Sequence, residues 1–183
     1  MKILHISDEP DELRDTAALA AESPDLILTS GDLPRWVYDR IRAAMPGVPF
    51  LGVRGNHDSP ADLTPEEDLH LRVVEFRGVR LGGFQGSWRY KPAGRYLYDE
   101  EQVEAALARH PGCDVFVTHN PPALENHEVP DGVHDGFRAF VEYCSRHRVQ
   151  LLLHGHSNVR AESRMGATRV LGTYGWRSLT FQE

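Results

Sequence analysis

The sequence predicts an α/β domain built on a largely parallel β-sheet. Over the first sixty residues, apolar runs of strand length alternate with amphipathic segments of helix length. Strands that alternate with helices are typical of parallel sheets, because each connecting helix returns the chain to the same edge. Polar residues also follow five apolar runs at the point where each run ends. The length of 183 residues is that of one domain with a full core, so we expect a single domain over residues 1–183.

The first sixty residues are predicted to form a β-α-β-α-β unit. The predicted strands cover residues 2–6, 26–29 and 50–53, and the predicted helices cover residues 10–22 and 35–45. The strand runs are rich in Ile, Leu, Val and Phe, and the helical segments place apolar residues at helical spacing. Pro24 ends the first helix and Pro46-Gly47 ends the second, because proline and glycine interrupt helices.

The rest of the chain is predicted to add a hairpin, two helices and further strands. Arg77-Gly78 separates two apolar runs and is predicted to form the turn of a hairpin. Residues 85–94 are expected to form a loop, and residues 120–132 a longer loop above the polar edge of the sheet. The other predicted elements are strands 72–76, 79–84, 115–117, 151–153, 159–164, 168–171 and 179–181, and helices 100–109 and 134–147.

Composition and charge exclude several classes of function. The formal net charge of −7 argues against a protein that binds duplex nucleic acid, which usually needs a basic face. Cys113 and Cys144 have neither metal-binding nor redox spacing, and they favour a reducing compartment. The first residues have no signal-peptide pattern, and no apolar run approaches the ~20 residues that span a membrane. We therefore expect a cytoplasmic protein without membrane segments, and the sequence leaves its oligomeric state open.

Asp, Asn and His residues stand where the predicted strands end. They occur in Ser7-Asp8, Gly31-Asp32, Gly55-Asn56-His57-Asp58, Thr118-His119-Asn120 and His154-Gly155-His156. Because the carboxyl ends of parallel strands meet at one edge of a sheet, we expect these side chains to converge. Oxygen and imidazole ligands suit divalent metals such as Mn, Fe or Zn. Each pair alone is a weak signal, since Gly-Asp and Gly-Asn are also common in turns.

The residue types indicate different roles in such a site. Asp32 carries two carboxylate oxygens and can bridge two cations, and Asn56 would add a neutral amide oxygen. His57 projects differently from the residue before it, which suits a proton donor to a leaving oxygen rather than a ligand. His154 and His156 flank a glycine, so both rings can turn toward two metals ~3.5–4 Å apart.

In this order, the motifs resemble those of the calcineurin-like metallophosphoesterases. That family's order is Asp-x-His, Gly-Asp, Gly-Asn-His-Asp/Glu, a strand ending in His, and Gly-His-x-His. The resemblance spans almost the whole chain and implies a four-layer α-β-β-α sandwich with two mixed β-sheets and a two-metal site. It implies that Asp32 bridges the metals. The implied ligands of one metal are Asn56, His119 and His154, and Asp8 and His156 would help to hold the other.

Two departures from the family pattern affect the interpretation. Pro10 stands where the family has a histidine ligand, although proline suits the first turn of a helix. The second metal position would then be weakened, and we expect water to complete it rather than Glu9, Asp11 or Glu12. The segment after Asp32 also lacks the later Asp of phosphoprotein phosphatases, which argues against a protein phosphatase.

The resemblance implies a metal-dependent phosphoester hydrolase, and we favour a phosphodiesterase for small diesters. Two cations, with Mn expected and Fe or Zn as alternatives, would lower the pKa of a bridging water from 15.7 toward ~7. The metal-activated hydroxide would attack phosphorus, and His57 would protonate the departing oxygen. A diester is favoured because no cluster of arginines is visible to hold a dianionic phosphate. The alternative is a non-catalytic interaction scaffold with a degenerate site, which Pro10 favours.

Other residues have roles that the sequence leaves open. His5 lies inside the first predicted strand, which favours a hydrogen-bonded core histidine over a ligand. His127 and His134 flank the proline-rich loop, and His134 either caps the next helix or contacts substrate. Trp88 and Tyr90 either form a stacking surface for substrate or pack the loop over the sheet.

Overall fold

Two β-sheets lie face to face in the structure, which is a computed structural model describing residues 1–124 and 132–182. The strands are β1 (Lys2–Ser7), β2 (Leu26–Thr29), β3 (Phe50–Gly52), β4 (Val73–Phe76), β5 (Val79–Phe84), β6 (Ser87–Trp88), β7 (Leu97–Tyr98), β8 (Val115–Thr118), β9 (Leu151–His154), β10 (Ala161–Met165), β11 (Thr168–Gly172) and β12 (Gly175–Thr180). The α-helices are α1 (Thr16–Ala21), α2 (Arg35–Ala44), α3 (Glu100–Leu107) and α4 (Arg138–His147).

Both large sheets are mixed. The first has the strand order β12-β1-β2-β3, in which β1, β2 and β3 are parallel and β12 pairs antiparallel with β1. The second has the order β10-β11-β9-β8-β5-β4, with four parallel central strands and an antiparallel strand at each edge. The long parallel part of each sheet gives it one edge at which several carboxyl ends meet.

The apolar core between the sheets arises from the alternation of side chains along each strand. Ile3 and Leu28 of the first sheet face Leu81, Val117 and Leu153 of the second. Successive side chains of a strand point to opposite faces, so the residues between these positions are directed to the outer faces. Each sheet therefore buries both of its faces.

Helices cover the two outer faces. Leu4 and Ile27 on the outer face of the first sheet pack with Val37 and Ile41 of α2. On the outer face of the second sheet, one cluster joins Phe116 and Leu152 to Val103 of α3 and Phe140 of α4. The order of layers is therefore helix, sheet, sheet, helix. The predicted four-layer α-β-β-α sandwich with two mixed β-sheets is confirmed.

The first predicted helix is interrupted in the structure. A 3-10 helix covers Asp11–Leu13, and α1 begins only after Asp15. The side chain of Asp15 accepts a hydrogen bond from the backbone N–H of Ala18 at 3.0 Å. An aspartate at that position caps a new helix, which is why apolar spacing across residues 10–22 does not produce one continuous helix.

Other predicted elements are confirmed or shifted. Arg77 and Gly78 have φ values of 51° and 82°, as the two-residue turn of the predicted hairpin requires. The predicted loop at residues 85–94 contains β6, which pairs with β7 in a small parallel ladder too short to show a strand period. The predicted loop at 120–132 lies partly outside the described residues, as does His127.

Within the described part of the chain, no helix is long and apolar enough to cross a membrane.

Candidate metal centre

The predicted site residues come from strand ends of both sheets. Asp8 directly follows β1, and Asp32 lies shortly after β2. Asn56 follows β3 after a short connection, and His119 directly follows β8. A hydrogen bond joins the two edges, because Nδ1 of His119 lies 2.7 Å from the backbone oxygen of Ser30. The carboxyl ends of the parallel strands thus meet across the sandwich.

The orientation of the His119 ring follows from that hydrogen bond. A backbone carbonyl can only accept, so Nδ1 of His119 carries the proton. In a neutral ring the lone pair then lies on Nε2, which faces Oδ1 of Asn56 at 3.1 Å and Oδ2 of Asp32 at 3.3 Å. A backbone acceptor that fixes the tautomer in this way is common for histidines that bind metals.

Three acceptor atoms therefore point at one another around His119. A lone pair on nitrogen, an amide oxygen and a carboxylate oxygen repel unless a cation or a proton lies among them. Asp32, His119 and His156 each offer a ligand atom within 4.8 Å of the others, and the two histidines are buried. The donor set therefore fits a divalent cation that accepts oxygen and imidazole ligands.

The pKa values of Asp32 and His119 also indicate that this site attracts positive charge. Burial opposes ionisation of Asp32, but His119 beside it lowers the pKa of Asp32 to about 2. Burial likewise works against a charged imidazole, yet the carboxylates of Asp32 and Asp8 raise the pKa of His119 to about 9. In the protein alone, a proton on His119 thus occupies the place that suits a cation.

Asp8 and His156 are linked to each other on the second side of the centre. Oδ2 of Asp8 accepts hydrogen bonds from Oγ of Ser7 at 2.5 Å and from the backbone N–H of His156 at 3.0 Å. Nε2 of His156 lies 3.0 Å from the carbonyl oxygen of Val133. Burial raises the pKa of Asp8, and burial together with His119 lowers the pKa of His156 to about 3. Burial therefore disfavours the charged form of each group.

Three of the candidate ligands have left-handed backbone conformations. The φ values are 62° for Asp8, 54° for Asp32 and 64° for His156. Such a conformation costs a non-glycine residue on the order of 1–3 kcal/mol and persists only where the surroundings enforce it. The strand ends therefore bend sharply at the residues whose side chains turn into the site.

Two glycines are required because the site loops pass very close to the ligands. A Cβ at position 155 would lie 2.0 Å from Oγ of Ser7 and 2.3 Å from Oδ2 of Asp8. A Cβ at position 55 would lie 2.0 Å from Oδ1 of Asp32. The glycines of His-Gly-His and Gly-Asn-His thus make room for carboxylates from other strand ends.

Asp58 organises the site, and the sequence reasoning did not assign it a role. Its carboxylate accepts hydrogen bonds from the backbone N–H groups of Asp32, Leu33 and Gly55 and from the hydroxyl of Tyr38. It is 2% exposed, and burial raises its pKa to about 6. Its position at the end of Gly-Asn-His-Asp is the sequence feature from which this role could have been predicted, since an acid next to ligand loops can orient them.

His57 and His154 are not among the three residues whose ligand atoms lie within 4.8 Å of one another. His57 is exposed at the rim, and its backbone N–H donates to Oδ1 of Asp32 at 2.8 Å. His154 is buried, with Nδ1 2.9 Å from the carbonyl oxygen of Gly155. A Cβ on Gly172 would lie 3.1 Å from Nε2 of His154, so this ring lies against β11.

A cavity of about 370 Å³ opens beside the ligand cluster. Tyr90 lines it, and the hydroxyl of Tyr90 accepts from Nδ2 of Asn56 at 3.3 Å. The ring of Trp88 instead packs on Phe137 with centroids 5.4 Å apart, so of the two aromatic residues only Tyr90 reaches the cavity. His134 also lines the cavity, which places it at the site in addition to its position before α4.

His5 lies beneath the centre as a core histidine. It is fully buried, with Nδ1 2.7 Å from Oγ1 of Thr173 and Nε2 2.8 Å from Oγ of Ser30. Both ring nitrogens therefore have partners within the protein, as the sequence predicted. Because the backbone oxygen of Ser30 also accepts from His119, His5 supports the centre from below.

Comparisons with known proteins bear on the family and the fold of the chain. Residues 1–174 match the calcineurin-like phosphoesterase superfamily domain. The chain is 31% identical to a probable cyclic nucleotide phosphodiesterase of Synechococcus sp., over 90% of this chain and 74% of that protein. Among solved structures, it is similar to the TT1561 protein of Thermus thermophilus, with a TM-score of 0.70 and 17% identity over 93% of this chain and 88% of that one. A phosphatase from Mycoplasma pneumoniae is similar with a TM-score of 0.56 and 12% identity, over 93% and 70% of the two chains.

Proposed function

The chain belongs to the calcineurin-like phosphoesterase superfamily, and we propose that it is a metal-dependent phosphodiesterase acting on small phosphodiesters. The observation that carries the proposal is the convergence of three acceptor groups around His119. Oδ1 of Asn56 and Oδ2 of Asp32 lie 3.1 Å and 3.3 Å from Nε2 of His119, next to a cavity of substrate size. The similarity to a probable cyclic nucleotide phosphodiesterase supports a diester as substrate.

The residues that we propose as metal ligands are Asp8, Asp32, Asn56, His119, His154 and His156. Divalent cations held by them, with Mn proposed and Fe or Zn as alternatives, would neutralise phosphoryl oxygens and make water a nucleophile near neutral pH. Asp58 and Ser30 would keep Asp32 and His119 oriented through the hydrogen bonds already described. The protein thus supplies a fixed set of ligands before any substrate arrives.

His57 is proposed to deliver the proton to the departing oxygen. Its side chain lines the cavity, and the residue is exposed at the rim, where a leaving group would pass to solvent. The hydrogen bond to Asp32 comes from its backbone N–H. The ring can therefore exchange its proton with solvent between turnovers, as a general acid requires.

The charge of the cavity favours a diester over a monoester. Among its described lining residues are the carboxylates of Asp8, Glu9 and Asp32, but no Lys or Arg. A terminal phosphate carries up to two negative charges, whereas a diester carries one. Without a cationic side chain at the cavity wall, the second charge of a terminal phosphate has no protein partner there.

Metal analysis of the purified protein, combined with a panel of mono- and diesters and added Mn, tests the proposal. We expect bound divalent metal and hydrolysis of several small diesters. Protein that holds no metal and hydrolyses no ester would support the alternative, a non-catalytic scaffold, which Pro10 favours because it offers no ligand atom. Hydrolysis of monoesters alone would be consistent with the metal centre but would refute the diester preference.

The two free cysteines are relevant to the cellular compartment in which the protein is found. Cys113 and Cys144 are both buried and unbridged. Free thiols fit a reducing compartment, and we propose a cytoplasmic location on that basis.

A further inference from the structure

We propose that Glu9 determines substrate specificity by excluding phosphomonoesters from the cavity, and that Tyr174 holds its carboxylate in place. This inference rests on the proposed phosphodiesterase function and assigns the diester preference to a particular side chain. Both residues line the cavity beside the candidate metal ligands. Neither residue was predicted to act in the reaction.

The Glu9 carboxylate is fixed at both of its oxygens. Oε2 accepts a hydrogen bond from the hydroxyl of Tyr174 at 2.7 Å, and Oε1 accepts from the backbone N–H of Asp11 at 2.8 Å. The bond to Glu9 raises the pKa of Tyr174, so the phenol remains a donor. A carboxylate held from two directions does not swing out of the way when a substrate enters.

The wall that carries Tyr174 is itself braced. The backbone oxygen of Tyr174 accepts from Nε of Arg160 at 2.9 Å, and Arg160 also forms an ion pair with Glu12. Arg160 is not among the described residues that line the cavity, and its guanidinium pairs with Glu12. The arrangement fixes the position of Glu9 without bringing a cation to the substrate.

Glu9 differs from the other carboxylates of the cavity in having no assigned ligand role. Asp8 and Asp32 are proposed to bind metal, and cations would offset their charges. The charge of Glu9 would remain and would act on the substrate. Two like charges several ångströms apart at the edge of a protein repel each other. For an anionic substrate near Glu9, this repulsion corresponds to a loss of about tenfold or more in affinity for the cavity. A dianionic monoester bears roughly twice this repulsion, whereas a monoanionic diester bears it once.

The test compares the Mn-loaded wild-type protein with Glu9→Gln, using bis(4-nitrophenyl) phosphate and 4-nitrophenyl phosphate as matched substrates. We expect the ratio of kcat/KM for the monoester to that for the diester to rise about tenfold in Glu9→Gln. Inorganic phosphate, used as a dianionic competitor, should bind more tightly to the variant by a similar factor. An unchanged ratio together with unchanged phosphate affinity would overturn the proposal.

The matched control is Asp11→Asn, which removes one negative charge two residues away. The side chain of Asp11 is 72% exposed and pairs with Arg14 outside the cavity. We expect this variant to leave both the ratio and the phosphate affinity at wild-type values. An equal effect of Asp11→Asn would mean that net charge, rather than the position of Glu9, sets the preference, and would refute the proposal.

Two further measurements separate this proposal from the proposed function. If the wild-type protein hydrolyses neither ester, the phosphodiesterase proposal fails, but calorimetric binding of phosphate to Mn-loaded protein still tests Glu9 in the same way. If Glu9→Gln does not fold, Tyr174→Phe replaces it, since this variant removes one of the two groups that hold Glu9. We expect Tyr174→Phe to shift the ratio in the same direction by a smaller factor, and a wild-type ratio would count against the proposal.

Discussion

The two halves of the candidate metal centre are held in different ways. In the half formed by Asp32, Asn56 and His119, contacts to Asp58, Tyr90 and Ser30 orient the ligands. In the half formed by Asp8 and His156, the two ligand residues are tied mainly to each other and to a loop carbonyl. The position that would complete this second half is Pro10, which has no ligating atom.

This difference shows how one fold can provide two metal positions of unequal affinity. A ligand set that is already oriented loses little conformational freedom when a cation binds, whereas an incomplete set must recruit water. The first half should therefore be the structural requirement for activity, and the second half should be the part that responds to metal concentration.

The largest expected effect comes from removing His119, whose Nε2 lies 3.1 Å from Oδ1 of Asn56 and 3.3 Å from Oδ2 of Asp32. His119→Ala should abolish hydrolysis because the metal is lost, and Asn56→Ala should act in the same way. Metal content and hydrolysis rate would be measured on the same preparations. His147→Ala on α4 is the control, since this histidine packs on Tyr143 away from the centre. A His119→Ala protein with wild-type metal content would contradict the assignment.

The next largest effect should separate proton transfer from metal binding. His57→Ala is expected to keep its metal, because the hydrogen bond to Asp32 comes from the backbone N–H of residue 57 and alanine retains that group. The rate on a diester with a poor leaving group should fall ~10²–10⁴-fold, the usual contribution of a general acid. If most of the wild-type rate remained, His57 would not be the proton donor.

His5 hydrogen-bonds to Ser30 beneath the first half, and its burial predicts a pH dependence of stability. Burial lowers the pKa of His5 to about 3, whereas the unfolded chain has the ordinary value of 6.5. The unfolded state therefore gains a proton as the pH falls below 6.5, and the stability contributed by neutral His5 is lost in that range. Between pH 7 and pH 5 the free energy of unfolding should fall by about 2 kcal/mol more in the metal-free wild type than in His5→Gln. The free energy of unfolding would be measured in urea at each pH. If it fell by the same amount in both proteins, His5 would not be held neutral.

The comparison of the two halves also predicts unequal metal binding. Calorimetric titration with Mn should show one tighter site and a second that is weaker by about tenfold or more, because the loss of even a group that orients a ligand lowers metal affinity about 10- to 100-fold. Two equal and tight sites would mean that an acidic side chain replaces the missing ligand at Pro10.

The smallest effect is expected from restoring that ligand. Pro10→His should lower the Mn concentration for half-maximal activity by a few-fold up to ~10-fold and leave the rate at saturating Mn nearly unchanged. Pro10 precedes the 3-10 helix with a φ of −75°, so its loss costs a fraction of a kcal/mol through the unfolded state. Pro111→His, at an exposed position before β8, is the control. An unchanged half-saturation point in a folded Pro10→His protein would mean that this metal position is already complete or is not used.

Much of the site was predictable because its residues follow strands. The runs before Asp8, Asp32 and His119 are apolar and buried, and the polar residue after each run marks the edge at which it ends. The residues that orient the ligands were harder to predict. Tyr90 and Tyr174 belong to segments without a regular period, and their contacts to Asn56 and Glu9 join residues 34 and 165 positions apart.

The sequence by itself determined which segments form strands and the order of the ligand motifs, whereas the four layers were implied by the resemblance to the phosphoesterase family. Both depend on local rules, namely the alternation of side chains along a strand and the polar residues that end it. Only the tertiary structure decided that Asp58 joins two ligand loops and that His156 lies close to Asp32 and His119. It also decided that Glu9 faces the cavity while Asp11 faces solvent. These outcomes depend on how the ends of separate strands bend toward one another, and that geometry is set by long-range packing and hydrogen bonds rather than by local periodicity.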